Sequence, residues 1–298
     1  MKQIPQDDRL LDALSMDPAL APADVQDFSA RFDVISHRFH SHFAHDGQAQ
    51  HANALFHKRR YVDLLSRPWP GNVLDVGNDK PFLSFFLRWF NPGSAFWTIS
   101  NEIPQSPFPI WEVDIEKDIF PFDSALFNQV IFTEVIEHLW RNPSFCLTQI
   151  NRVTRNNGGI FVTTPNPCDR HSLVCVLWQA NPNQRSQYFK TLESGHLHLW
   201  TVADVRLILE EHGYRIDEAV TQDLYGHTRD DAIVEEVIAR ISPYRPLMNE
   251  TVVIGATKQS DVSAPVYPSA IYPDGSPVQF MGAITGFIED SVKERGGR

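Results

Sequence analysis

Two carboxylates and an imidazole crowd one short run of the chain, Thr133-Glu134-Val135-Ile136-Glu137-His138-Leu139. If this run is helical, Glu134, Glu137 and His138 fall at i, i+3 and i+4 on one face, and Val135, Ile136 and Leu139 pack inward. Such a face could take a proton from a substrate, since an imidazole titrates near neutral pH and a carboxylate can accept or orient. The same residues also suit a solvated acidic first turn, which the helix dipole favours. The pattern alone leaves both readings open. A second imidazole segment, Gly195 to Thr201, carries His196 and His198 just before Trp200. A third feature is a glycine. Asn72 to Gly77 reads NVLDVG, with Asp75 and Gly77 at the end of an apolar run. A glycine there lets backbone approach a ligand, and the N–H groups of a following helix can receive a carboxylate or phosphate. A dinucleotide fingerprint would need two more glycines at fixed spacing. The chain instead continues Asn78, Asp79, Lys80, Pro81, which disfavours a standard NAD site and a dehydrogenase.

These residues need elements to hold them. Five short apolar runs read as strands: Asn72–Gly77, Ala95–Ser100, Ile110–Val113, Gln129–Thr133 and Ile160–Thr164. Helical patterns alternate with them at Pro81–Phe90 and from Asn142 to about Arg155, where Asn142 caps and Pro143 takes the first turn. Two final strands, Tyr214–Val220 and Thr251–Thr257, flank a charged helix near Asp230–Ile241. A helix from Thr201 to His212 begins with a capping box, Thr201 with Asp204, and stops at Gly213. This alternation implies an α/β, doubly wound, mostly parallel sheet, whose ligands sit beyond the carboxyl ends of the strands. Before the sheet, Ala49 to Leu65 reads as one helix with a stripe of Ala52, Leu55, Phe56, Arg59, Val62 and Leu65. Residues 1–70 are expected to form a helical lid over the cleft, residues 71–258 the main domain, and residues 259–298, rich in Pro, Ser and Gly, a loosely attached tail.

Bulk composition narrows the function classes. The chain has 298 residues, 42% hydrophobic and 21% charged, the mix of an ordinary globular protein. Its net charge of -11 argues against a broad nucleic-acid-binding surface, which needs a basic excess. Three cysteines without CxxC spacing, Cys146, Cys168 and Cys175, argue against a disulfide framework and for a reducing compartment. No apolar stretch approaches the roughly 20 residues of a membrane span, and MKQIPQDDRL has no apolar signal region. A cytoplasmic location is expected.

Taken in order, the segments from about Asn72 to Lys258 resemble the class I S-adenosylmethionine-dependent methyltransferases. VLDVG resembles that family's first motif. Asp114 in EVDIEKDIFPFD matches the acidic position after strand three. DSALFNQVIFTEVIEHL resembles the stretch entering and leaving strand four. INRVTRNNGGIFVTTPNP resembles the helix, glycine turn and strand five. Within the family the chain is similar to the methyltransferase type 11, ubiquinone-pathway enzymes and to bacterial enzymes acting on sugars or polysaccharides. The resemblance implies a Rossmann-like seven-stranded sheet with the last strand antiparallel. It implies S-adenosylmethionine contacts at Asp75, Gly77, Asn101 or Glu102, Asp114, Ile115, Thr133 and Glu134. One departure stands out: Asp79 occupies the place of a second glycine. The EVIEHL run with His196-x-x-x-Trp200 is similar to the 2-Glu, 2-His metal site of small-RNA 2'-O-methyltransferases. Carried over, Glu134, Glu137, His138 and His196 would hold Mg²⁺, Mn²⁺ or Zn²⁺. Without a metal, His138 or His196, with Glu137 alongside, would serve as base. The expected activity is O-methylation of a small-molecule or saccharide acceptor. The alternative is a non-catalytic, methyltransferase-like interaction protein with a degenerate cofactor loop.

Other features have plainer readings. His37, His40, His42, His45, His51 and His57 crowd one stretch, where irregular spacing favours an exposed polar helix over a metal site. Trp69, Trp89, Trp97, Trp111 and Trp140 suit core or cleft wall. Asn166, after strand five, fits either a substrate contact or a turn.

Overall fold

A computed structural model describes residues 21–43, 47–77, 81–101, 110–139, 142–177, 179, 198–226, 232–241 and 247–268. Seven strands form one sheet: β1 (Asn72–Val76), β2 (Ala95–Ser100), β3 (Ile110–Glu112), β4 (Phe127–Thr133), β5 (Thr154–Pro165), β6 (Tyr214–Gln222) and β7 (Thr251–Lys258). Their order is β3-β2-β1-β4-β5-β7-β6. All pairs are parallel except those of β7, which runs antiparallel to both β5 and β6. The Rossmann-like seven-stranded architecture expected from the sequence is therefore present.

The described helices are α1 (Val25–Ala30), α2 (Phe32–Phe43), α3 (Gly47–Phe56), α4 (Lys58–Ser66), α5 (Pro81–Phe90), α6 (Pro143–Val153), α7 (Arg170–Leu177), α8 (Val202–Glu211) and α9 (Ala232–Ile241). Local chemistry sets their ends. Asn142 accepts from the Phe145 N–H at 2.9 Å, with Pro143 in the first turn. Thr201 and Asp204 form the reciprocal capping box of α8. Gly213 follows α8 at φ +79°, a conformation that a side chain would strain.

Alternation along the central strands divides the core. Val73, Ile131, Phe161 and Val253 face the α1, α2, α4 and α5 side, where Phe28, Phe32, Phe39, Tyr61, Phe82 and Phe86 pack. Leu74, Val130, Phe132, Val162 and Ile254 face α6 and α8, against Leu147, Ile150, Val205 and Ile208. Period-two side chains buried on both faces make these strands continuously apolar.

Three sequence expectations change. Strand five starts at Thr154, directly after α6. The expected Asn157–Gly159 turn lies inside it as a bulge, where Thr154 pairs Phe127 and Gly159 pairs Gln129. A Cβ on Gly159 would stand 2.2 Å from Gln129 Oε1, so a side chain there would displace the Gln129 amide. The single helix expected over Ala49–Leu65 is two, broken at His57. The buried positions are Ala54, Arg60, Tyr61, Leu64 and Leu65, whereas Leu55 and Phe56 are exposed. The tail is not loose in its first ten residues. Val262 N–H donates to Asn151 Oδ1 at 3.1 Å, Asn151 Nδ2 to Ser260 O at 3.0 Å, and Ser144 Oγ to Val266 O. Polar side chains on α6 thus bind the backbone of this segment. Residues 269–298 lie outside the described residues.

The N-terminal helices share the sheet's core. Phe28 of α1 is fully buried, with ring centroids 4.7 Å from Phe86 and 5.3 Å from Phe32. Phe28→Ala should cost about 3–5 kcal/mol and shift one cooperative urea transition as a whole. A separate early transition, with the sheet's midpoint unmoved, would show that these helices melt independently.

Candidate functional site

The strand order reverses between β1 and β4, the place where open α/β sheets bind ligands. At the end of β1, Gly77 has φ +78° and donates its N–H to Ile99 O at 2.8 Å. A Cβ there would meet Val135 Cγ2 at 2.7 Å. The glycine thus allows both the turn and the close approach of the β4 loop. Asp75 is 3% exposed. It faces the Arg88 guanidinium of α5, whose pKa burial pulls down to about 10 against the opposing pull of Asp75. Arg88 also donates to Ser84 O and Phe96 O, at 3.1 and 3.0 Å. At the end of β3, Asp114 accepts from the Glu116 N–H at 3.1 Å and pairs with Lys117, and its side chain is 31% exposed. Ile115 is buried in the core. Asn101 is exposed at the end of β2. Glu102 lies outside the described residues. Asp75, Gly77, Asn101 and Asp114 therefore lie at the carboxyl ends of three neighbouring strands.

The end of β4 departs from the expected geometry. Glu134 has φ +56°, in the left-handed region, and its N–H donates to Thr163 O at 2.8 Å. The helix that follows is a 3-10 turn over Ile136–His138 that excludes Glu134. Glu134 and Glu137 thus do not share a helical face. They reach adjacent residues of β5 instead. Thr163 Oγ1 donates to Glu134 Oε1 at 2.7 Å, and Thr164 Oγ1 to Glu137 Oε2 at 3.0 Å. The two threonines point to opposite faces of the strand, yet the carboxyl groups that reach them lie close enough for Glu134 to raise the Glu137 pKa. Val135, Ile136 and Leu139 do pack inward. The His138 side chain is about a third exposed, with Nε2 3.9 Å from Glu137 Oε1.

Two residues that sequence reasoning missed complete the cluster. Arg60 of α4 donates Nη2 to Thr133 O and Oγ1, at 3.2 and 3.0 Å. Tyr225, after β6, donates its hydroxyl to Glu134 Oε2. Burial would lower the Arg60 pKa, but Tyr225, Glu134 and Glu137 together hold it above its ordinary value. Burial, then the Glu134 charge, pushes the Tyr225 phenol well up, so it stays protonated and donates. Burial, then Glu134, also raises Glu137 well above the usual carboxylate range, with the Thr164 bond and Arg60 opposing. The expected apolar stripe placed Arg59, not Arg60, on the inward face, so the pattern carried no signal for Arg60. Tyr225 lies in a connecting segment and carried none.

The remaining expectations resolve plainly. Among the described residues no group of three or more His, Cys, Asp or Glu is placed to hold a metal ion. Glu134 already spends both oxygens on Thr163 and Tyr225, and His196 lies outside the described residues. The described donors do not fit the expected 2-Glu, 2-His centre. Asn166 is a turn residue: its Nδ2 donates to Leu247 O and Asn249 O, and its Oδ1 accepts from the Cys168 N–H. Of the clustered histidines, His40 is buried on Ser36 O at 2.8 Å and burial lowers its pKa, while His51 meets Asp33 at 3.3 Å. His45 lies outside the described residues.

Glu137 links stability to pH. Its folded pKa is raised, so the native state binds the proton more tightly than the unfolded chain. That contribution is full below the unfolded value of about 4.3 and is lost as pH rises towards the folded value. Glu137→Gln keeps an acceptor for Thr164 and removes the ionisation. Its stability relative to the native chain should therefore rise steadily from pH 5 to pH 8 in denaturant titrations. A constant difference across that range would mean Glu137 is not held protonated.

No protein-family model matches the chain, and no curated protein matches it either. Solved structures do. One is a chain in the Haloferax volcanii complex between the Trm112 methyltransferase activator and a methyltransferase. It is 15% identical, covers 76% of this chain and 98% of its own, and has a TM-score of 0.50. A SAM-dependent methyltransferase from Archaeoglobus fulgidus is 16% identical over 70% of this chain and 92% of its own, with a TM-score of 0.46. A Burkholderia thailandensis 1,6-didemethyltoxoflavin-N1-methyltransferase is 13% identical over 80% and 92%, with a TM-score of 0.44. At these identities the likeness is one of fold alone.

Proposed function

We propose that this chain, folded as a class I methyltransferase, binds S-adenosylmethionine and methylates the hydroxyl of a small-molecule or saccharide acceptor. The observation that carries the reading is the β3-β2-β1-β4-β5-β7-β6 order with antiparallel β7, which brings Gly77, Asn101 and Asp114 to one carboxyl edge and Glu134 beside them. Gly77 makes the turn that ends β1 at this edge, where a cofactor of this fold would lie. Asp114 is partly exposed, so its carboxylate can accept from an adenine amino group, and Asn101 or Glu102 can accept from ribose hydroxyls. When bound, the cofactor supplies a methyl group activated on a positive sulfur. The chain positions the acceptor in line with that carbon and excludes water. His138, part-exposed beside Glu137, is the described candidate to take the acceptor's proton. Helices α1 to α4 pack beside this edge, with Arg60 bonded to the end of β4, which suits a fixed lid.

The rival reading is a non-catalytic interaction protein, suggested by Asn78-Asp79-Lys80-Pro81 where the family's loop is richer in glycine. Calorimetry with S-adenosylhomocysteine separates the two. Saturable binding is expected, and none at millimolar ligand would overturn the enzyme reading. Asp114→Ala should remove a charge-assisted hydrogen bond worth roughly 1.5–3 kcal/mol. Affinity should then fall about tenfold to a hundredfold. Full affinity in a folded variant would place the adenine elsewhere.

A further inference from the structure

We propose that Phe56, His57 and Tyr225 form the wall of an acceptor subsite for a flat aromatic ring bearing a hydroxyl, which the Tyr225–Glu134 pair receives; this deepens the methyltransferase reading and rests on it. Phe56 ends α3 and stays 47% exposed. Its ring lies 5.3 Å from Tyr225 at 35° and 5.2 Å from His57 at 85°. The Tyr225 and His57 rings are themselves 5.3 Å apart. A half-buried tyrosine beside an exposed phenylalanine offers a planar ring both an apolar wall and a polar edge.

The polar edge is organised before any ligand arrives. Tyr225 N–H and Gly226 N–H both donate to Glu250 Oε2 at 2.9 Å, which ties this loop to the residue before β7. The Tyr225 hydroxyl gives its proton to Glu134, and a phenol that donates can still accept from a second hydroxyl. Glu134 itself stands in a left-handed backbone conformation, a strain that persists where the surroundings impose it and that clusters at ligand sites.

A second observation points to a ligand. Arg60 and Glu137 are 7% and 1% exposed, and each keeps one polar atom, Nε and Oε1, without a hydrogen-bond partner. Buried polar atoms are almost always paired. A spare donor and a spare acceptor around the same Glu134 suit an incoming polar group. The exposed ring beside them favours an aromatic frame for that group over a saccharide, whose surface is mostly hydroxyl.

The test uses the full chain saturated with S-adenosylhomocysteine and three probes: 4-nitrophenol, nitrobenzene and methyl glucoside. The expected order is 4-nitrophenol tightest, nitrobenzene weaker and methyl glucoside undetected. Phe56→Ala, at an exposed site, should weaken both aromatic probes about tenfold and leave S-adenosylhomocysteine affinity unchanged. Tyr225→Phe should weaken only 4-nitrophenol, down to the level of nitrobenzene, with the thermal midpoint measured as a control on folding. Failure of S-adenosylhomocysteine to bind would bring down the methyltransferase reading and this subsite with it. Cofactor binding with no 4-nitrophenol binding, with tighter methyl glucoside binding, or with both variants unchanged, would overturn the subsite alone.

Discussion

One buried guanidinium holds the carboxyl edge of the sheet in place. Arg60 reaches from the N-terminal helices to Thr133, the last residue of β4, and bonds both its carbonyl and its hydroxyl. An unpaired charge at that depth would be strongly unfavourable. Glu134 lies near enough to offset it, and Glu134 is fixed in turn by Thr163 and Tyr225. The strand end, the lid-side helices and the segment after β6 therefore constrain one another through a single cation.

The charge count in this cluster has a consequence. Two carboxyl groups share one arginine, and both lie near enough to influence it. Burial and the Glu134 charge press Glu137 towards its protonated form. Glu137 is the member that gives way, because like charges in a poorly solvated site resist joint ionisation.

Packing of the N-terminal segment makes the cleft part of the core rather than an attachment to it. Phe28, Phe32 and Tyr61 belong to the same buried cluster as Val73, Ile131 and Phe161 of the sheet. On the opposite face, α6 binds residues 260–266 through Ser144 and Asn151. Each face of the sheet is closed by chain from outside the βα repeat.

The sequence by itself determined the sheet. Short apolar runs at Asn72, Ala95, Ile110 and Gln129, alternating with capped helical patterns, specify local structure through propensity and burial that neighbours in the chain decide. The Asn142–Pro143 start and the Thr201–Asp204 box were legible for the same reason, since a cap is satisfied within one turn. Gly77 was legible because its positive φ needs a glycine. What tertiary structure alone decided is the polar cluster. Arg60 and Tyr225 are separated by most of the fold, and nothing local marks either as a partner of Glu134. The helical face expected for Glu134, Glu137 and His138 failed because Thr163 and Thr164 on β5 offered the carboxylates better partners than a continuous helix did. Hydrogen bonds to a neighbouring strand overrode the local turn, and only the assembled sheet supplies that strand.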